Sequence, residues 1–242
     1  MEGQGLRMKC CGTFLFILFL QIICRADFRA SIYKIDSNDR ELLFSQEFIE
    51  KELSTGLIKI ENRFKNSEGN EVIRESANLN KSGQIEQIQI DQLQTSQKAL
   101  IVVGADKIEF ELTEANGKIK KSTEKRSAIP LVSTQNFGRF VRDSWKQLTN
   151  GQTVEFRLIV WDRMETVGFQ VASKGVQLIR GKNCTLIEMQ ASSFLIRRLV
   201  DPLNLCYIED GKKIYDLVGR VTPKLKVGDQ LKDLDAHVVY FY

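Results

Sequence analysis

Two carboxylates facing one cleft are enough to break a glycosidic bond, and in this 242-residue chain Asp143 with Asp201 or Glu188 is the pairing that such a hydrolase would use. Other routes to catalysis lack their parts. His237 is the one histidine, so no HExxH zinc site can form, and no GxSxG elbow presents a serine nucleophile. The chain has no P-loop and no GxGxxG, which removes the common nucleotide-binding routes. Asp229, Asp233 and Asp235 cluster near the C-terminus without the glycine spacing of a calcium loop and read as a solvated loop. His237 shares a strand face with Val239 and Phe241 and reads as a packed residue. The sequence therefore points to no cofactor and no metal, and leans away from an enzyme.

A binding site is the better-supplied alternative. Phe137, Phe140, Trp145, Phe156 and Phe169 can line an apolar space, with Arg139 or Arg142 at its mouth to pair an anionic head group. The competing reading is a filled core with no space in it. The lining depends on one segment. Phe137, Phe140, Val141, Trp145 and Leu148 recur at three- and four-residue intervals while Arg139, Arg142, Asp143 and Lys146 fall mainly on the other side. This spacing predicts an amphipathic helix over 134–149, capped by Ser133 or Thr134 and stopped at Asn150-Gly151.

The rest of the chain alternates with period two. Ile108, Phe110 and Leu112 alternate with Lys107, Glu109 and Glu111, and Asn116-Gly117 predicts a type I′ hairpin turn before Lys118. Similar turn chemistry stands at Asp36 to Asp39, Ser67 to Asn70, Lys81 to Gly83 and Asp210-Gly211. Strands are expected at Leu57 to Phe64, Glu71 to Leu79, Ile85 to Ile90, Val154 to Trp161, Thr166 to Ala172, Thr185 to Ala191, Lys213 to Val221 and His237 to Tyr242. A shorter helical turn is expected at Ser193 to Val200. The fold class is mainly β: a curved antiparallel sheet or half-open barrel packed on one central amphipathic helix. A single domain, 27–242, is expected in two halves, 27–128 and 154–242, that meet at the helix.

Residues 1–26 carry a targeting signal. Arg7 and Lys9 form a basic start, the run from Phe14 to Cys24 is apolar but for Gln21, and Ala26 offers a cleavage site. At roughly 11 to 13 residues the run is too short to span a bilayer. Cys24 offers a second outcome, a lipidated N-terminus, although Ile23 before it is not the small residue a lipobox wants. Membrane contact is expected only through this segment or a lipidated Cys24. Loss of residues 1–26 lowers the formal charge from +4 to +2, which leaves no electrostatic case for nucleic acid. It also leaves two cysteines, Cys184 and Cys206. Each begins an expected strand, and the starts of antiparallel neighbours lie at opposite ends of the pair, beyond the ~7 Å a bridge tolerates. Two separately buried thiols are therefore expected.

The stretch Phe140-Val141-Arg142-Asp143-Ser144-Trp145-Lys146-Gln147-Leu148-Thr149-Asn150-Gly151, with the strand Val154 to Arg157 after it, resembles a family of exported bacterial proteins with no assigned function. That family carries an F-x-R-x-x-W-x-x-L-x-x-G helix. Val200-Asp201-Pro202-Leu203, Ile214 to Gly219 and Val238-Val239-Tyr240 extend the resemblance. Leu217-Val218-Gly219-Arg220 departs from it, since relatives tend to carry an aromatic before the glycine and a small polar residue after it. The resemblance implies a Gram-negative origin and a periplasmic home, with an outer-envelope lipoprotein as the lesser expectation, and it supplies no catalytic residues. The function expected is a non-catalytic envelope protein that binds a hydrophobic small molecule, an amphiphile or an envelope protein. The alternatives are the carboxylate hydrolase, acting on envelope glycan or lipid, and a structural module with no ligand.

Overall fold

The computed structural model describes residues 28–198 and 201–242. The targeting segment expected at 1–26, Cys24 within it, and Val200 lie outside them. Eight strands come first: β1 (Phe28–Lys34), β2 (Leu42–Glu52), β3 (Ile58–Asn66), β4 (Glu71–Leu79), β5 (Ile85–Gln92), β6 (Gln97–Val103), β7 (Lys107–Thr113) and β8 (Ile119–Lys125). The short β9 (Leu131–Val132) leads into helices α1 (Phe137–Asp143) and α2 (Trp145–Thr149). β10 (Val154–Val160), β11 (Glu165–Ile179), β12 (Lys182–Ala191), α3 (Phe194–Arg197), β13 (Leu203–Ile208), β14 (Lys213–Val227) and β15 (Gln230–Phe241) follow.

All the strands belong to one mainly β, curved sheet in the order β8 to β1, then β15 back to β9. Sequential hairpins build each half, and antiparallel pairing of β1 with β15 joins the halves edge to edge, with Ala30 opposite Tyr240 and Ile32 opposite Val238. The expectation that the halves meet at the helix is thus corrected: backbone hydrogen bonds join them. β9 runs parallel to β10 at the far edge. The two ends of the sheet approach each other through side chains. Glu124 on β8 accepts the Thr166 N–H at 2.7 Å and pairs with Arg157 at 3.0 Å. The sheet rolls because one face of each strand is apolar: Ile58, Ile60 and Phe64 of β3 and Ile108, Phe110 and Leu112 of β7 are all buried, and face the same interior.

The hairpin loops correct the turn expected at Asn116-Gly117. A type I′ turn needs positive φ at both residues, and only Gly117 has it, at +81°. Glu114 N–H bonds to the Lys118 carbonyl and Gly117 N–H to the Glu114 carbonyl, a three-residue loop closed by a left-handed glycine. The same pair of bonds recurs around Gly56, Gly69 and Gly83. Three-residue loops suit strands whose twist must accumulate into a roll.

The helical segment is also revised. The expected helix 134–149 is two helices, because residues 133–136 are held in a turn of their own: the Asn136 side chain accepts the Ser133 N–H at 2.8 Å, and Thr134 and Gln135 reach to β4. Ser144, at φ −89° and ψ 0°, separates α1 from α2. Asp229 precedes β15, while Asp233 and Asp235 lie within that strand rather than in a solvated loop, and both pair with Arg220 on β14 at 2.8 Å.

The two cysteines are bridged, against expectation. Cys184 and Cys206 form a disulfide with their Cα atoms 5.5 Å apart. β13 begins at Leu203, so Cys206 is its fourth residue rather than its first, and the register that sets Leu186 opposite Cys206 leaves Cys184 as the diagonal neighbour. That diagonal is short enough for a bridge.

Candidate functional site

The interior is not filled throughout. A cavity of about 660 Å³ lies inside the roll, in the range of roughly 300–1,000 Å³ typical of small-molecule sites. Its apolar wall comes from Phe28 of β1, Phe48 of β2, Phe169 of β11, Leu205 of β13, Leu217 of β14 and Val238 of β15. Alternation explains the convergence, since each of these residues occupies an inward position on a strand facing the same lumen. α1 closes one side with Phe137, Gly138, Arg139 and Arg142.

The six residues singled out from the sequence divide into four groups. Phe137, Arg142 and Phe169 line the cavity. Phe156 is buried behind them, with ring centroids 4.9 Å from Phe140 and 6.0 Å from both Phe137 and Phe169. Phe140 lines a separate cavity of about 520 Å³ beside Arg126, Pro130 and Asp143. Trp145 packs on Tyr207 at 5.8 Å and covers Gly211, whose φ of +82° and missing Cβ let the indole sit against the backbone. Asp143, Asp201 and Glu188 do not converge: neither Asp201 nor Glu188 lines either cavity, and Glu188 is paired with Lys174 at 2.9 Å.

A polar row that the sequence reading missed crosses the same wall. Gln46 donates to Asn62 at 2.8 Å, and Asn62 donates to Glu75 at 2.7 Å. Gln135 donates to the same Glu75 oxygen at 2.7 Å, with Thr134 at 3.4 Å. The row ties the turn before α1 to β2, β3 and β4. Burial raises the Glu75 carboxyl above its ordinary value, and the three hydrogen bonds oppose that shift. Asn62 among Ile58, Ile60 and Phe64, and Glu75 among Ile73, Ala77 and Leu79, are polar residues at inward positions, which is the signal that would have found them.

The sign of that shift makes a prediction. A carboxyl whose value is raised by folding holds its proton longer in the native state, so stability falls as pH climbs from about 4.5 through the raised value. Glu75→Gln removes the titration, and the slope of the unfolding midpoint against pH above 4.5 is expected to flatten. Glu75→Ala strands the amides of Asn62 and Gln135 and is expected to cost roughly 1–3 kcal/mol at any pH. A Glu75→Gln profile parallel to wild type would contradict the assignment.

The opposite face of β15 carries a second polar cluster. His237 Nδ1 lies 2.6 Å from Asp39 and Nε2 lies 2.7 Å from Asp216, with Arg180 beside both aspartates. The hydrogen bond to Asp216 is the main cause that raises the imidazole above its ordinary value. Both ring nitrogens are engaged, so neither is free to act as a base toward a substrate. The cluster fastens the β1–β2 loop and the β11–β12 hairpin to the outside of the roll.

In the wall of the same cavity, Tyr207 is fully buried and its hydroxyl has no hydrogen-bond partner among the described residues. Burial holds this phenol well above its ordinary value, so it stays a neutral donor. Tyr242 is pushed up to about 12, chiefly by burial, and accepts the Ile214 N–H.

Known structures supply the fold and nothing finer. No family model matches the chain, and no curated protein matches it. The crystal structure of a β-barrel-like protein of a domain of unknown function, DUF1849, from Brucella abortus aligns with a TM-score of 0.50 at 10% identity, covering 88% of this chain and 92% of that one. The two share a fold. The β-propeller domain of the Trilobed protease from Pyrococcus furiosus covers 87% of this chain and 72% of its own at 9% identity, with a TM-score of 0.23 that carries no argument.

Proposed function

We propose that the mature protein is a non-catalytic, exported envelope protein that holds an amphiphilic molecule in the lumen of its rolled sheet. The observation that carries this reading is the cavity of about 660 Å³, walled mainly by aromatic and aliphatic side chains, with Arg142 and Lys212 among its lining residues. An apolar chamber with few polar groups is the composition of small-molecule sites, and burial of an acyl chain contributes about 0.8 kcal/mol per CH₂. The Cys184–Cys206 bridge supports an oxidising compartment, in keeping with the N-terminal signal. The resemblance to exported bacterial proteins supports the periplasm in particular. On this reading the helices α1 and α2 are the packed element that completes the chamber, with Val141 and Leu148 buried against the sheet.

Native mass spectrometry of protein purified gently from a bacterial envelope extract tests the proposal. One copy of a hydrophobic or amphiphilic molecule per chain is the expected result. A protein that is always empty, under conditions in which known lipid carriers retain their cargo, would contradict it.

A further inference from the structure

We infer that Tyr207, Arg142 and Lys212 form a head-group subsite for an anionic single-chain amphiphile, a molecule with a carboxylate or phosphate head and one acyl tail. The inference rests on the proposed lumen site and names the ligand class it would take. All three residues line the same cavity. The Tyr207 hydroxyl is buried and has no partner among the described residues, an arrangement that costs about 1–3 kcal/mol and that an acceptor on a ligand would relieve. Arg142 and Lys212 make no ion pair with any described residue, whereas the other two cations on this wall do: Arg139 is paired with Glu50, and Arg220 with Asp233 and Asp235.

Local structure holds the three in place. Arg142 and Gly138 are one helical turn apart on α1 and face the cavity together. Trp145, on the next helix, lies over Gly211 and against the Tyr207 ring, which holds the turn that carries Lys212. Lys212 N–H bonds back to the Glu209 carbonyl at 3.2 Å within that turn. The result is one neutral hydrogen-bond donor and two free cations at the end of an apolar chamber. Two cations and a phenol match a charged oxygen head better than a neutral one, because hydrogen bonds to charged acceptors are the stronger. The tail would run along Phe28, Phe48, Leu205 and Val238.

The test is a calorimetric titration of the delipidated full chain with palmitate, hexadecyl phosphate and monopalmitoylglycerol, which share a tail length and differ in head. Wild type is expected to bind both anions, with the neutral ester weaker by roughly tenfold or more, since hydrogen bonds to charged groups are the stronger ones. The ratio of palmitate to hexadecyl phosphate affinity says which head is preferred. Tyr207→Phe and Arg142→Gln are each expected to lower anion affinity about tenfold and to leave the neutral ester unchanged. Tyr207→Phe is also expected to unfold at the same temperature as wild type or higher, because it removes an unpartnered hydroxyl. A purely structural Tyr207 would instead lower the midpoint. If the variants weaken all three ligands equally, or none, the head-group subsite is wrong while the lumen site stands. If wild type binds none of the three, the lumen reading itself fails.

Discussion

Phe156→Ala is expected to cost about 3–5 kcal/mol, the range measured for removal of a buried phenylalanine whose neighbours cannot collapse into its place. Phe156 is 1% exposed and sits at the centre of a four-ring cluster with Phe137, Phe140 and Phe169. Two of those rings stand on α1 and one on β11, so both sides of the vacancy are held by backbone that is fixed elsewhere. Because Phe137 and Phe169 also line the cavity, the loss should reach ligand affinity as well as stability. Urea denaturation of the purified variant measures the first effect through its midpoint. A loss under 1 kcal/mol would mean that the helices do not rely on the sheet at this point.

Removing the disulfide is expected to have an effect of similar size. The bridge closes a loop with a sequence separation of 22 residues. In the chain-entropy treatment a loop of this length limits the unfolded ensemble by roughly 3 kcal/mol. Cys184→Ser with Cys206→Ser should lower the denaturation midpoint accordingly, and a reducing agent should do the same to wild type while leaving the double variant unmoved. The loop spans the β12–β13 connection that carries α3, and Tyr207 follows Cys206 directly, so loosening here should also weaken anion binding more than neutral-ester binding. Equal midpoints for oxidised and reduced wild type would show that the bridge does not restrict the unfolded chain.

Much of the fold was legible because alternation is a strong local signal. β4 was read at its observed bounds, Glu71–Leu79, and β7 followed from the strict alternation of Ile108, Phe110 and Leu112. Other strands were hidden for identifiable reasons. Gln97–Val103 carries a continuous apolar run, Ala99 to Val103, which does not declare a period. Leu203–Ile208 is short, and without it the position of Cys206 along its strand could not be known. The disulfide was misjudged for that reason alone: a bridge depends on register, and register depends on where a strand begins.

The candidate site was legible only in part. Phe137 and Phe169 were reached because the 3.6-residue stripe and strand alternation point them inward, and Arg142 because a cation was expected at the mouth of an apolar space. Trp145 and Phe156 share that inward direction but pack as core, and periodicity cannot separate a wall from what lies behind it. Tyr207 on β13 and Lys212 in the β13–β14 turn both line the chamber, and the approach of that turn to Trp145 is a tertiary fact with no sequence period. Asn62 and Glu75 did leave a mark, as polar residues in apolar ranks, and such residues are more informative than any further aromatic.

The measurement that tests the lumen site most directly is a calorimetric comparison of delipidated wild type with Gly138→Trp, titrated with palmitate. Gly138 lines the cavity, and a Cβ built there meets no atom within 4 Å, so a side chain can start at this position without a clash, and an indole is the largest that can be set against the chamber. Replacing glycine within a helix should not destabilise it. Wild type is predicted to bind one palmitate per chain, and Gly138→Trp, folded and with its disulfide intact, to bind none. Equal binding by the two proteins, or no binding by wild type, would contradict a ligand held inside the roll.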